Sequence, residues 1–251
     1  MNIKWEAKEY ENNFSFVHHY GEEIINMIDA PAGSLVIDLG CGNGALTQKI
    51  SEKGYSVIGI DDSKDMLKLA GELHPDLKFL KDDARYFSLE NKADVIFSNA
   101  VLHWIDSEDQ DKLLKNIRSN LKDNGSLVCE FGGFGCAETV HSSLRRAFNS
   151  RGLEYLFPFY FPTIGEYAPK LENSGFIVKE AFLFDRPTPQ NGSDGLKNWI
   201  KMFCKKAFSN VNEKDSEIII NEAVENVREI LFHNGTWYVD YVRIRLKALA
   251  V

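Results

Sequence analysis

The chain is short of cysteine, tryptophan and histidine, with 4, 4 and 6 copies in 251 residues, and basic residues (29) fall behind acidic ones (37). Each shortage narrows the field. Cys41, Cys129, Cys136 and Cys204 include no C-x-x-C pair, which argues against a zinc ribbon or a disulfide framework and fits free thiols in a reducing cytoplasm. No His/Cys/Asp spacing suggests a metal site, and the neighbours His18 and His19 have no ligand partners in sequence. A net charge of −8 repels phosphate backbones, so nucleic acid is not expected as a partner. No apolar run approaches the 18 or so residues needed to span a membrane. The opening Met-Asn-Ile-Lys-Trp-Glu-Ala-Lys-Glu has no apolar core of the kind a signal peptide carries. No internal repeat or low-complexity segment is present. What remains is 44% hydrophobic and 26% charged, ordinary for a globular protein, in a chain of 251 residues, long enough for one sizeable α/β domain with a decoration.

Apolar runs that read as strands (35–39, 55–60, 77–80, 94–98 and 126–131) alternate with stretches that read as helices (45–53, 64–73 and 109–121). Ser63 is placed to cap the second helix, and Asp123-Asn-Gly125 to end the third. Strict alternation predicts right-handed βαβ units and a parallel sheet covered by helices on both faces. Beyond Phe131 the rhythm loosens. Helices are expected over 139–150 and 164–173 and a strand over 176–184. A Pro/Gly/Asn-rich loop and two helices follow in 185–234, and then a period-two strand over 241–248. Before all this, Ile24, Ile25 and Ile28 recur at helical spacing up to the break at Pro31.

The most specific local pattern is Val36-Ile-Asp-Leu-Gly-Cys-Gly-Asn-Gly44, followed 17 residues later by Asp61 at the end of the next apolar run. A strand that enters a glycine-rich turn, then a helix, then a strand ending in a carboxylate is suited to a nucleoside. Gly40, Gly42 and Gly44 let backbone approach the ligand, and the acid can accept from ribose hydroxyls. A dinucleotide site uses G-x-G-x-x-G around a pyrophosphate. Here Ala45 stands in the place of the last glycine, and Asp38 would repel a phosphate but suit a cation.

The D-x-G-x-G-x-G pattern resembles the first motif of class I S-adenosylmethionine (SAM) dependent methyltransferases. Lys81-Asp-Asp-Ala84 is similar to the family's adenine-binding acidic turn, and Asp94-Val-Ile-Phe-Ser-Asn-Ala-Val-Leu-His-Trp104 to its fourth-strand motif. The Ser-Asn-Ala-x-Leu-His-Trp form looks like the "type 11" small-molecule branch, similar to trans-aconitate methyltransferase. Arg186-Pro-Thr-Pro189 and Glu130-Phe-Gly-Gly133 also resemble members of that branch. The resemblance implies a Rossmann-like, doubly wound sheet of seven mostly parallel strands whose last is antiparallel and inserted beside the sixth. It further implies a cap over 1–30, a SAM-binding core over 31–135, and an acceptor-side half over 136–251 with a helical insertion at about 185–234.

It assigns SAM contacts to Asp38, Gly40, Cys41, Gly42 and Gly44, ribose to Asp61, adenine to Asp83, Ala84 and Met66, and the methionine amino group to Asn99. Several of these have ordinary structural alternatives: a turn carboxylate at Asp38, a helix-capping acid at Asp61, a core methionine at Met66. His103 stands as a candidate general base beside the reading of a structural histidine. A carboxylate acceptor, ionised at neutral pH, needs no base, and alignment in a dry site then supplies most of the rate. The aromatic residues Trp5, Tyr10, Phe14, Phe16 and Tyr20 read either as a lid or as ordinary packing. Arg85, Arg145, Arg146 and Arg186 are scattered candidates for holding an anionic acceptor. The expected activity is transfer of a methyl from SAM to a small molecule, a carboxylate among the options, with release of S-adenosylhomocysteine. A non-catalytic SAM-binding module and a nicotinamide oxidoreductase are the alternatives.

Overall fold

The computed structural model describes Gly21 and residues 23–251. The residues proposed for the lid, and His18 and His19, lie outside that range. The elements run β1 (Leu35–Leu39), α1 (Ala45–Glu52), β2 (Ser56–Asp61), α2 (Lys64–Leu73), β3 (Lys78–Lys81), β4 (Ala93–Asn99), α3 (Gln110–Asn120), β5 (Leu121–Gly132) and α4 (Glu138–Asn149). They continue with α5 (Ile164–Asn173), β6 (Phe176–Gln190), α6 (Gly195–Phe203), α7 (Glu213–Asn226), α8 (Arg228–Leu231), β7 (Phe232–His233) and β8 (Thr236–Ala250).

The sheet order is β3-β2-β1-β4-β5-β8-β6, with the two-residue β7 pairing off this path onto β8. The β1–β2, β1–β4, β2–β3 and β4–β5 pairs are parallel, and β8 is antiparallel to both β5 and β6. This is the doubly wound α/β arrangement with an inserted antiparallel last strand. The strand order reverses between β1 and β4, and open α/β sheets bind ligands beyond the carboxyl ends of such strands.

Period-two alternation sorts β1 onto two faces. Ile37 and Leu39 pack with Leu113, Leu114 and Ile117 of α3 and with Tyr167 and Leu171 of α5. Val36 packs on the opposite side with Ile24, Ile25 and Ile28 and with Leu46 and Ile50 of α1. A separate apolar core joins α4, α6 and α7 through Leu144, Phe148, Trp199, Ile200, Ile219 and Ala223, and takes in Trp104. It forms a second, helical core beside the sheet. Ser63 caps α2 by accepting from the Met66 N–H at 3.3 Å, and Thr163 with Glu166 forms a capping box on α5.

Three boundaries differ from the sequence reading. Residues 185–190, expected as a loop, belong to β6, and the pairing runs on to Gln190↔Trp237. Pro187 and Pro189 are accommodated because β6 is an edge strand, where a missing N–H costs no ladder bond. Correspondingly β8 begins at Thr236. Asp123-Asn-Gly125 does not precede β5 but bulges out of it: the register jumps from Ala93↔Leu121 to Val95↔Ser126, with Asn124 at φ 64°. The apolar face read as one helix through Leu231 is broken at Val227, between α7 and α8.

Candidate active site

The glycine turn is tied to β2 before any ligand is considered. The N–H groups of Gly40 and Cys41 both donate to the Ile60 carbonyl, at 2.7 and 3.1 Å. Gly40 has φ +78°, and a Cβ there would lie 2.2 Å from Val101 Cγ2. Gly42, at φ +55°, is different: among the described residues the one heavy atom within 4 Å of its ideal Cβ is Met66 Cε at 3.6 Å, so none of them crowds its backbone. That is the cradle a nucleoside needs.

Asp61 ends β2 and closes the turn. Its Oδ2 accepts from Gly42 N–H at 3.0 Å and its Oδ1 from Ser63 N–H at 2.8 Å. A carboxylate offers about four lone-pair sites, so acceptor capacity remains for a ribose hydroxyl. Asp38 is 2% exposed and accepts from Thr47 Oγ1 at 2.6 Å. Burial pushes the Asp38 carboxyl up to about 7, with the Thr47 hydrogen bond opposing and the Asp61 charge adding. Burial likewise raises Asp61 to about 6, against the N–H groups of Ser63 and Gly42. Two buried acids side by side, both raised above the ordinary carboxylate range, favour a ligand that brings positive charge.

A pH dependence follows. An acid whose pKa is raised on folding binds its proton more tightly in the native state. The Asp38 contribution to stability therefore falls as pH rises from about 4 towards about 7. A cationic ligand reverses the preference by favouring the ionised form. SAM affinity is accordingly expected to strengthen about tenfold between pH 5.5 and 7, with protons released on binding. Calorimetry in two buffers of different ionisation enthalpy checks this, and a flat profile would remove Asp38 from the neighbourhood of the cation.

The remaining expected contacts divide. Met66 is buried with its methyl turned towards Gly42. The Cys41 thiol points the other way: its sulfur would be 2.8 Å from a Cβ on Gly59, and burial pushes its pKa up. Asp83 is engaged by its own neighbour, accepting from Arg85 N and Nε at Oδ1 (2.9 Å each) and from Arg85 Nη2 at Oδ2 (2.7 Å). One lone-pair site remains for an adenine amino group, beside the half-buried Ala84. Asn99 ends β4 with Oδ1 buried and without a partner, directly across the strand pair from Glu130.

His103 is 6% exposed. Its Nδ1 accepts from the Gly132 N–H at 3.3 Å. That bond places the ring proton on Nε2, so neither nitrogen is free to take a proton. Burial, and then the charge of Arg243, hold its pKa well below the ordinary histidine value. The geometry is that of a buried structural histidine, accepting from backbone rather than donating to it.

One constellation escaped the sequence reading. Glu130, wholly buried at the end of β5, is surrounded by Arg186 from β6 and by Arg243 and Arg245 from β8. Arg186 Nη1 and Nη2 lie 2.5 and 3.1 Å from its oxygens, Arg243 Nε 3.3 Å and Arg245 Nε 2.8 Å. Arg245 also meets Glu23 at 3.2 Å. Of the four arginines expected as anion candidates, Arg186 alone is here; Arg85 pairs with Asp83 and Asp109, and Arg145 with Glu138. The clue in sequence was a lone acid inside the apolar Leu127–Phe131 run, opposite alternating arginines in the last strand.

Among the described residues no helix is long and apolar enough to cross a membrane. Residues 36–125 match the family described as "Methyltransferase domain". The chain is 32% identical to an uncharacterised methyltransferase of Schizosaccharomyces pombe, over 97% of each chain. It is 32% identical to a trans-aconitate 2-methyltransferase of Rhodopseudomonas palustris, over 50% of this chain and 49% of that one. Its fold is similar to magnesium protoporphyrin IX methyltransferase of Synechocystis, solved with bound S-adenosylhomocysteine, at a TM-score of 0.57 and 18% identity, covering 93% of this chain and 83% of the other. With the glycine cradle, the two acids and the relative matched along nearly its whole length, the chain belongs to the SAM-dependent methyltransferases.

Proposed function

We propose that this methyltransferase acts on a small molecule presenting a carboxylate, with the carboxylate oxygen as the methyl acceptor. The observation that carries this reading is Arg243. It gives only Nε to Glu130, which leaves the two terminal nitrogens of its guanidinium for a second anion. Its register partner is Gly132 at the end of β5, one strand over from Asn99 on β4. Planar guanidinium groups match carboxylates two bonds at a time. The trans-aconitate 2-methyltransferase relative bears a name that puts an acid among the acceptors of similar proteins, which supports the same reading.

SAM would be held by the Gly40–Gly44 turn, Asp38, Asp61 and Asn99, and would supply a methyl carried on a positively charged sulfur. This chain's own residues need do little chemistry. An acceptor with an acid pKa near 4 is already ionised, so a base is unnecessary, in keeping with an His103 that has none to offer. Orientation by Arg243 and exclusion of water by the surrounding apolar wall are then the main contributions.

Two measurements test the donor and acceptor ends separately. Asp61→Ala is expected to weaken SAM binding by about 1–3 kcal/mol, the value of hydrogen bonds to a charged group; unchanged calorimetric affinity would take Asp61 out of the site. Turnover of a panel of acids, phenols and amines should yield methyl esters, and Arg243→Leu should raise the KM for acids at least about tenfold with SAM affinity intact. Methylation confined to phenols or amines would overturn the carboxylate reading.

A further inference from the structure

We infer that the acceptor is an aryl acid, a flat ring carrying the carboxylate and a polar substituent at its far end, rather than an aliphatic polyacid. The inference rests on the carboxylate reading above and adds the body of the molecule to it. The wall over Gly132, the register partner of Arg243, is aromatic. Phe159 and Phe161 stack in parallel, with ring centroids 4.8 Å apart and 12° between planes, and both are only half-buried. Phe161 occupies the room left by a missing side chain: a Cβ on Gly132 would lie 2.3 Å from its ring. Gly132 is the register partner of Arg243, so Phe161 packs over the residue that pairs with Arg243. An aliphatic polyacid has no use for a stacked aromatic pair; a planar ring does, through offset or edge-to-face contact.

The wall continues to His141, whose ring centroid is 5.5 Å from Phe159 and 4.8 Å from the partly exposed Phe157. His141 Nδ1 is bonded to the Tyr155 hydroxyl at 2.6 Å, while Nε2 is buried and has no partner. Buried polar atoms are nearly always satisfied. A substituent able to form a hydrogen bond, on a ring lying along the Phe159–Phe161 pair, would satisfy this one once Phe157 moves aside.

Initial rates with the full-length protein, saturating SAM and mass spectrometry of the methyl ester test this with malonate, trans-aconitate, cinnamate and 4-hydroxycinnamate as acceptors. Cinnamate is expected to exceed the aliphatic acids in kcat/KM by about tenfold, the scale of one good aromatic contact. The 4-hydroxy compound should exceed cinnamate, and His141→Phe should remove that second preference. Phe161→Leu should narrow the aryl-over-aliphatic ratio while SAM affinity stays unchanged. Ester formation with aliphatic acids equal to or better than aryl acids overturns this inference and leaves the carboxylate reading standing. No ester from any acid overturns both.

Discussion

Exchanging Glu130 for leucine is expected to destabilise the protein by about 3–5 kcal/mol, the cost of breaking a buried ion pair from one side. Glu130 has no exposed surface and accepts from three guanidinium groups. Burial pushes its carboxyl up, and Arg243, Arg186 and Arg245 together overcome this, so its pKa is lowered on balance. Removing it leaves three cations converging on an apolar side chain. Arg245 keeps its ion pair with the exposed Glu23. For a chain of this size each kcal/mol moves the melting temperature by about 2–4 °C, so a loss of at least about 6 °C is anticipated in a thermal scan. Glu130→Gln, which keeps an oxygen acceptor, should fall between. A melting temperature within 2 °C of wild type for the leucine variant would show that the three arginines are held by something other than Glu130. The sign with pH follows from the same partners. A carboxyl whose pKa is lowered on folding adds stability above its unfolded value, and that stability is lost as pH falls through the acid range.

Gly40→Ala should be the most damaging change on the SAM side. Two costs combine at this position. A left-handed φ of +78° disfavours any side chain by about 1 kcal/mol. The new Cβ would also lie 2.2, 2.7 and 3.0 Å from three carbons of Val101. Val101 is β-branched and stiff at χ1, and it leads into the turn that carries His103, so the strain must pass into the glycine turn or into the end of β4. A loss of SAM affinity of at least about 100-fold is expected, equivalent to about 3 kcal/mol. Gly33 supplies the internal control: its φ is +81° and, among the described residues, nothing lies within 4 Å of its ideal Cβ. Gly33→Ala should carry only the backbone cost and bind SAM normally. If the two variants bind SAM alike, the contact with Val101 is not what the glycine at position 40 avoids.

How much of this was legible beforehand depended on sequence distance. The parallel core was readable because each βα unit is local: the periodicity of 35–39, the turn and the helix from Ala45 all lie within about one window. The turn with Asp61 was readable for the same reason. The extension of β6 was hidden by Pro187 and Pro189, which read as loop in any local rule and are tolerated only because of an edge position that tertiary structure decides. The arginine cluster left only a faint trace in sequence, for another reason. Glu130 and its partners at 186, 243 and 245 are brought together only by the insertion of β8 between β5 and β6. His103 stood out in sequence as a candidate base, but its ring proton could be placed only once the Gly132 N–H was seen to donate to it.

The insertion of β8 has a consequence for how the molecule is made. Every other strand of the sheet has left the ribosome before this one, and until it arrives β5 and β6 are not neighbours at all. The glycine turn, Asp38 and Asp61 belong to units that can assemble early from local contacts. Arg243 and Arg245 reach Glu130 only when β8 closes the gap, over sequence separations of 113 and 115 residues. Non-local closures of this kind are slow steps in folding. A half-made chain can thus hold the pieces of a donor site while Glu130 waits, buried or not, for its counter-ions.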